Sequence, residues 1–129
     1  NALGDIYDQG QKIAGLHLDD GSEPETLACM LQGINDVPSG TNTTIGVIAT
    51  NAVLTKAQAA KMAAIGHDGY AIAIRPVHTM LDGDTVFGVA TCEIEADFNI
   101  VLAGAAQVMA QAIANAVYSV KEQEEENDA

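Results

Sequence analysis

Short apolar runs alternate with clusters of turn residues along this chain, and the shifts between period-two and helical patterning mark its elements. Residues 1–8 read as a strand end, residues 8–11 as a turn, and Lys12-Ile13-Ala14-Gly15-Leu16-His17-Leu18 as a second strand weakened by its glycine. Asp19-Asp20-Gly21 has turn chemistry. Ser22-Glu23-Pro24-Glu25 is a Ser-x-x-Glu capping box with proline in the first turn, which predicts a short helix over residues 26–32. Residues 33–42 have the composition of an exposed linker. That linker ends abruptly at Thr43-Thr44-Ile45-Gly46-Val47-Ile48-Ala49-Thr50, a β-branched, nearly continuous apolar run that reads as a buried strand.

Thr55-Lys56-Ala57-Gln58 is a second capping box and opens an Ala-rich helix to about Ala73, in which Gly66 and Gly69 point to close packing against a neighbour. Residues 75–84 read as a loop and residues 85–92 as another buried strand. A last helix over residues 98–121 is apolar around much of its circumference, so most of it is expected to be buried. The order β-β-α-β-α-β-α predicts one mixed α/β (α+β) domain of sheet and helix layers.

Composition narrows the function. The 129 residues are 48% hydrophobic and 18% charged, which excludes a disordered chain. The apolar stretches are broken by Gly, Gln or Asn short of about 18 residues, which argues against a membrane-spanning helix. The net charge of −13 repels phosphate backbones and anionic lipid, so neither nucleic acid nor membrane is an expected partner. Cys29 and Cys92 stand alone in apolar contexts and read as buried free thiols. No signal peptide is visible, the expected compartment is the cytoplasm, and the sequence opens at Asn1 in mid-motif, as a fragment would.

Candidate chemistry is concentrated at two places. Asp82-Gly83-Asp84 puts two carboxylates two residues apart, on the same side of an extended segment, where their protons are coupled. A solvated turn is the plainer reading of that triplet, and a calcium loop does not fit because Val86 and Phe87 follow where an oxygen ligand is needed. No metal or other cofactor is called for. Thr41-Asn42-Thr43-Thr44 stands where linker meets strand. A threonine hydroxyl there becomes a nucleophile if the chain is cut before it, because the new α-amine then serves as base. On spacing alone a polar strand start is the simpler reading. Of the three histidines, His78 lies in the polar loop and has the best claim to a functional role, whereas His67 in mid-helix reads as packed.

The run from Asn42 to Ala52 with Leu54-Thr55-Lys56-Ala57-Gln58 resembles the L-aminopeptidase/D-esterase (DmpA-like) family of self-cleaving hydrolases. So do His67-Asp68-Gly69, Ile74-Arg75-Pro76-Val77-His78-Thr79, Asp82-Gly83-Asp84-Thr85-Val86-Phe87 and the opening Asn1-Ala2-Leu3-Gly4-Asp5. The resemblance implies a layered αββα sandwich shared with ornithine acetyltransferases, of which this chain holds the C-terminal part. It implies self-cleavage between Asn42 and Thr43, dividing residues 1–42 from 43–129. Thr43 would be the nucleophile, Asn1 an oxyanion donor, and Asp82 and Asp84 catalytic, with His78 and Thr44 in support. The Asp82/Asp84 pair looks more like the nylon-oligomer hydrolases of this family than its aminopeptidases, where these positions tend to be Ser and Glu. Implied partners are the missing N-terminal segment, further copies in a homo-oligomer, and a small peptide or amide substrate. Acyl transfer on the same fold, or a non-catalytic assembly role, are the alternatives.

Overall fold

The computed structural model describes residues 2–33 and 42–128, so Asn1 and nearly all of the expected linker lie outside the described residues. Strands β1 (Asp5–Asp8) and β2 (Gln11–Ala14) form an antiparallel hairpin. Its two-residue turn places Gln9 and Gly10 at φ 48° and 83°, the left-handed pair that matches strand twist in a tight hairpin. The second strand is shorter than the apolar pattern predicts and ends before Gly15.

Helix α1 (Thr26–Leu31) does not use the Ser22 box. Ser22 gives its hydroxyl to Asp20 at 2.6 Å, and the helix begins after Glu25, which makes no side-chain cap. The cap comes from β1 instead. Asp5, fully buried, accepts the Thr26 N–H at 2.7 Å and the Thr26 hydroxyl at 2.8 Å, and pairs with Lys12 at 3.2 Å. Burial on its own would raise the Asp5 carboxyl's pKa. The Thr26, Leu16 and Lys12 hydrogen bonds outweigh burial and hold it below its ordinary value.

The rest of the chain builds a crossover unit. Strand β3 (Ile45–Ala52) leads into helix α2 (Lys56–Ala73), then the two-residue strand β4 (Ile74–Arg75) and strand β5 (Thr85–Ile94). The Thr55 capping box forms as the sequence predicts: Thr55 Oγ1 accepts from the Gln58 N–H at 3.2 Å and Gln58 Oε1 accepts from the Thr55 N–H at 2.9 Å. Strands β3 and β5 run parallel, Ile45 opposite Thr85, while β4 lies antiparallel on β1 and completes a second sheet of order β2-β1-β4. The fold is therefore mixed α/β, with β4 the one strand that the sequence pattern does not foretell.

Helix α3 (Phe98–Asp128) runs on through the acidic tail and packs along α2. The shared core holds Ile48, Met62, Tyr70, Ile74, Ala105 and Met109. Gly66 and Gly69 sit where the sequence expects close packing: a Cβ on Gly66 would meet Ile48 and Val86 at 2.8 Å, and one on Gly69 would meet Met109 and the Ala106 carbonyl at 2.6 Å.

Four expectations are corrected here. Strands β3 and β5 are buried on one face only, leaving Ile45, Val47, Phe87 and Val89 exposed, because α2 covers one side of a two-stranded sheet and no described residue covers the other. Helix α3 likewise leaves Ile100, Val108 and Val120 exposed. By length and composition its segment Phe98–Glu124 is apolar enough to cross a membrane, so interruption by single polar residues is no argument against a span. Finally, only Cys29 is buried. Cys92, at φ 59° in the irregular end of β5, is exposed.

Candidate active site

The parallel pairing of β3 and β5 brings residues 40 positions apart into one site. Just ahead of the two strands, Asn42 forms a parallel bridge with Asp82. The Thr44 carbonyl accepts the Thr85 N–H at 2.9 Å, so both strand entrances are in register before the sheet proper begins. Tyr70 of α2 reaches this junction from below. It is fully buried, and its hydroxyl lies 3.4 Å from the Thr44 carbonyl oxygen and 3.3 Å from that of Thr85. Gly46 makes room for it, since a Cβ there would stand 2.6 Å from the phenol oxygen. Burial, and then the charge of Asp84, push the Tyr70 phenol's pKa above its ordinary value, which keeps it a neutral donor.

At the centre stands the peptide bond between Asn42 and Thr43. The Thr43 hydroxyl donates to the Asn42 carbonyl oxygen at 2.6 Å, and the Gly83 N–H donates to the same oxygen at 3.0 Å. Two donors thus converge on one carbonyl with a hydroxyl oxygen beside it. Such an arrangement polarises the carbonyl toward attack.

The two carboxylates have separate partners. Asp82 accepts the Leu3 N–H at 3.2 Å and the Thr79 hydroxyl at 2.9 Å. Asp84, with a side chain only 4% exposed, accepts the Thr44 N–H at 3.1 Å on one oxygen and faces His78 Nδ1 at 2.8 Å with the other. His78 therefore joins the site as the sequence suggests. Thr44 contributes its backbone, while its side-chain oxygen is buried with no hydrogen-bond partner among the described residues. Asn1 lies outside the described residues. His17 lines the cleft beside this site, exposed and paired with Glu23 at 3.2 Å.

An apolar cleft of about 960 Å³ opens beside this site, lined by Asn42 and Thr44 together with Leu16, Ile74, Leu81 and Ile113 among others. The profile of peptidase family S58 matches residues 5–128. The chain belongs to peptidase family S58. It is 40% identical over 102 residues to an uncharacterized aminopeptidase of Mycobacterium leprae, a match covering 74% of this chain and 28% of that protein. Over 50 residues it is 60% identical to uncharacterized aminopeptidases of Mycobacterium bovis and Mycobacterium tuberculosis, covering 39% of this chain and 14% of each relative. The chain thus spans less than a third of the length of these relatives.

Within this S58 chain, sequence reasoning missed the parts of Gly83 and Tyr70, while His67 is packed as the sequence predicts, its ring edge-on to Tyr70. Gly83 acts through its backbone N–H, which no residue pattern displays. Tyr70 and His67 lie on α2 facing the loop, and the single-turn spacing between them was the available signal.

Proposed function

We propose that this chain is the nucleophile-bearing part of an autoprocessing hydrolase that cuts amide or peptide bonds through a threonine acyl-enzyme. The observation that carries the reading is the Thr43 hydroxyl held at 2.6 Å from the Asn42 carbonyl oxygen, with the Gly83 N–H on that same oxygen. In the first step Thr43 Oγ bonds to the Asn42 carbonyl carbon. The carbon–nitrogen bond then breaks, and the hydroxyl proton passes to the departing nitrogen. That break frees the Thr43 α-amine, and water then hydrolyses the ester, releasing the Asn42 carboxylate and restoring the Thr43 hydroxyl. Such amines have pKa values of about 7.7–8.0, so at neutral pH an appreciable fraction is neutral and able to take the hydroxyl proton in turnover. In this reading Asp84, on the adjoining Thr44 N–H, and Asp82, whose backbone bridges Asn42, hold that amine.

The aminopeptidase names of the mycobacterial relatives favour hydrolysis over acyl transfer. Because those relatives are more than three times longer than the matched segment, we assign the apolar cleft and the bare face of β3 and β5 to the remainder of an αββα sandwich, supplied by polypeptide ahead of residue 1. Homo-oligomers are part of the same reading.

Mass spectrometry of the full polypeptide, including any segment preceding Asn1, tests it. The expected species begins at Thr43. Thr43→Ala should remain uncut and inactive, and Thr43→Ser should cut. Full amide hydrolysis by a protein whose Asn42–Thr43 bond is intact would overturn the mechanism.

A further inference from the structure

We infer that His78, braced by His67, is a positioning residue that sets Asp84 against the cleavage site. The inference rests on the reading of Thr43 as nucleophile and adds to it the means by which its carboxylate partner is aimed.

Asp84 is nearly buried, and a buried carboxylate must find donors for both oxygens or lose much of its hydration energy. One oxygen holds the Thr44 N–H, next in sequence to the proposed nucleophile. The other has His78 Nδ1 at 2.8 Å, a charge-assisted contact of the strong kind. His78 reaches it with φ 57°, a left-handed conformation uncommon for L-residues, though less so for His, Asn and Asp. Residues kept in such conformations cluster at functional sites, where the surroundings over-determine them.

The surroundings here are specific. The His67 ring stands edge-on to the His78 ring with centroids 4.8 Å apart, and the Tyr70 ring lies at 6.0 Å. His78 Nε2 lies 3.4 Å from the His67 carbonyl oxygen. The imidazole is therefore held between α2 and the carboxylate, with an acceptor facing each ring nitrogen. Rigid α2 fixes His78, His78 fixes Asp84, and Asp84 fixes the Thr44 N–H beside the scissile bond. A one-ångström error in such a chain is enough to slow a positioned reaction by about a hundredfold.

The test is the first-order rate of cleavage at Asn42–Thr43 in the full polypeptide, followed by mass spectrometry, with thermal melting recorded for each variant. His78→Gly tolerates the left-handed backbone and removes the donor. His78→Asn tolerates the same backbone and returns a donor near the Nδ1 position. The glycine variant should cut at least about tenfold more slowly while still melting cooperatively, added imidazole should restore part of the rate, and the asparagine variant should cut near the wild-type rate. If the glycine variant does not fold, His78→Asp replaces it, matching asparagine in size but lacking the donor, and should be the slow member of that pair. Wild-type cleavage in His78→Gly, or equal slowing in both members of either pair without imidazole rescue, overturns the inference while leaving Thr43 as nucleophile. An uncut wild-type chain would instead remove the reading on which the inference rests.

Discussion

Gly83 gives its backbone N–H to the carbonyl oxygen of Asn42 at 3.0 Å, although 41 residues separate them and neither belongs to a regular strand. The position tolerates little else. A Cβ on residue 83 would stand 3.0 Å from the Thr43 hydroxyl oxygen, closer than such contacts normally come. Gly83→Ala should therefore keep the hydrogen bond yet displace the Thr43 hydroxyl, the proposed nucleophile. Cleavage at Asn42–Thr43, measured by mass spectrometry, should slow by about tenfold or more, with little change in melting temperature.

Thr44→Val gives the opposite outcome. The Thr44 hydroxyl is buried without a partner among the described residues, and an unsatisfied hydroxyl costs about 1–3 kcal/mol. Valine keeps the β-branch and the backbone N–H that Asp84 accepts. Denaturant unfolding should show equal or higher stability, with cleavage intact. A loss of about 1 kcal/mol or more would mean that the hydroxyl has a partner after all.

Asp5 governs the acid limb of stability. Its carboxyl pKa is lowered in the folded state relative to an ordinary carboxylate, so it contributes stability that is fully present above the unfolded value of about 3.9. That contribution fades as the pH falls through the lower folded-state value. Unfolding free energy should thus decline below about pH 4 in the wild type, and less steeply in Asp5→Asn. At neutral pH the substitution should cost about 3 kcal/mol, because it leaves Lys12 without its buried partner and weakens the α1 cap.

The segment produced alone as residues 1–129 should not behave as a well-folded monomer. Ile45, Val47, Phe87 and Val89 form a bare sheet face, and Ile100 and Val108 lie exposed on α3. Contiguous exposed apolar surface of this kind drives association. Light scattering and thermal melting should report aggregates or a broad transition. A monodisperse, cooperatively melting and active monomer would count against the assigned sandwich.

What could be read from the sequence was local. The Thr55–Gln58 box, the Asp19-Asp20-Gly21 turn and a strand read from Thr43, which the structure starts at Ile45, all announce themselves within a few residues. Asp82, Asp84 and His78 are legible as candidates, although spacing alone favours a solvated turn for the triplet; the structure brings His78 Nδ1 within 2.8 Å of Asp84. What escaped was long-range. Ser22 looks like a cap, but Asp5, 21 residues before Thr26, takes that role because the hairpin brings a buried carboxylate to the helix start. The apolar runs of β3 and β5 cannot declare that one of their faces lacks a cover among the described residues. Cys92 sits among apolar residues, yet the register of β3 on β5 shifts between Thr50 and Ala52 and the thiol turns outward.

The sheet β2-β1-β4 has an outcome for the processed protein. Its first two strands precede Asn42 and its third follows Thr43, with Asp5 opposite Arg75 and Ile6 opposite Ile74. Asp8 and Tyr118 are joined across the same divide at 2.9 Å, as are Leu3 and Asp82 at 3.2 Å. Cutting after Asn42 would make a nick rather than a dissociation: two polypeptides, each missing strands the other supplies, knitted into a single particle. Neither product could leave without unfolding its mate, so self-cleavage would sever the covalent thread and leave the architecture whole.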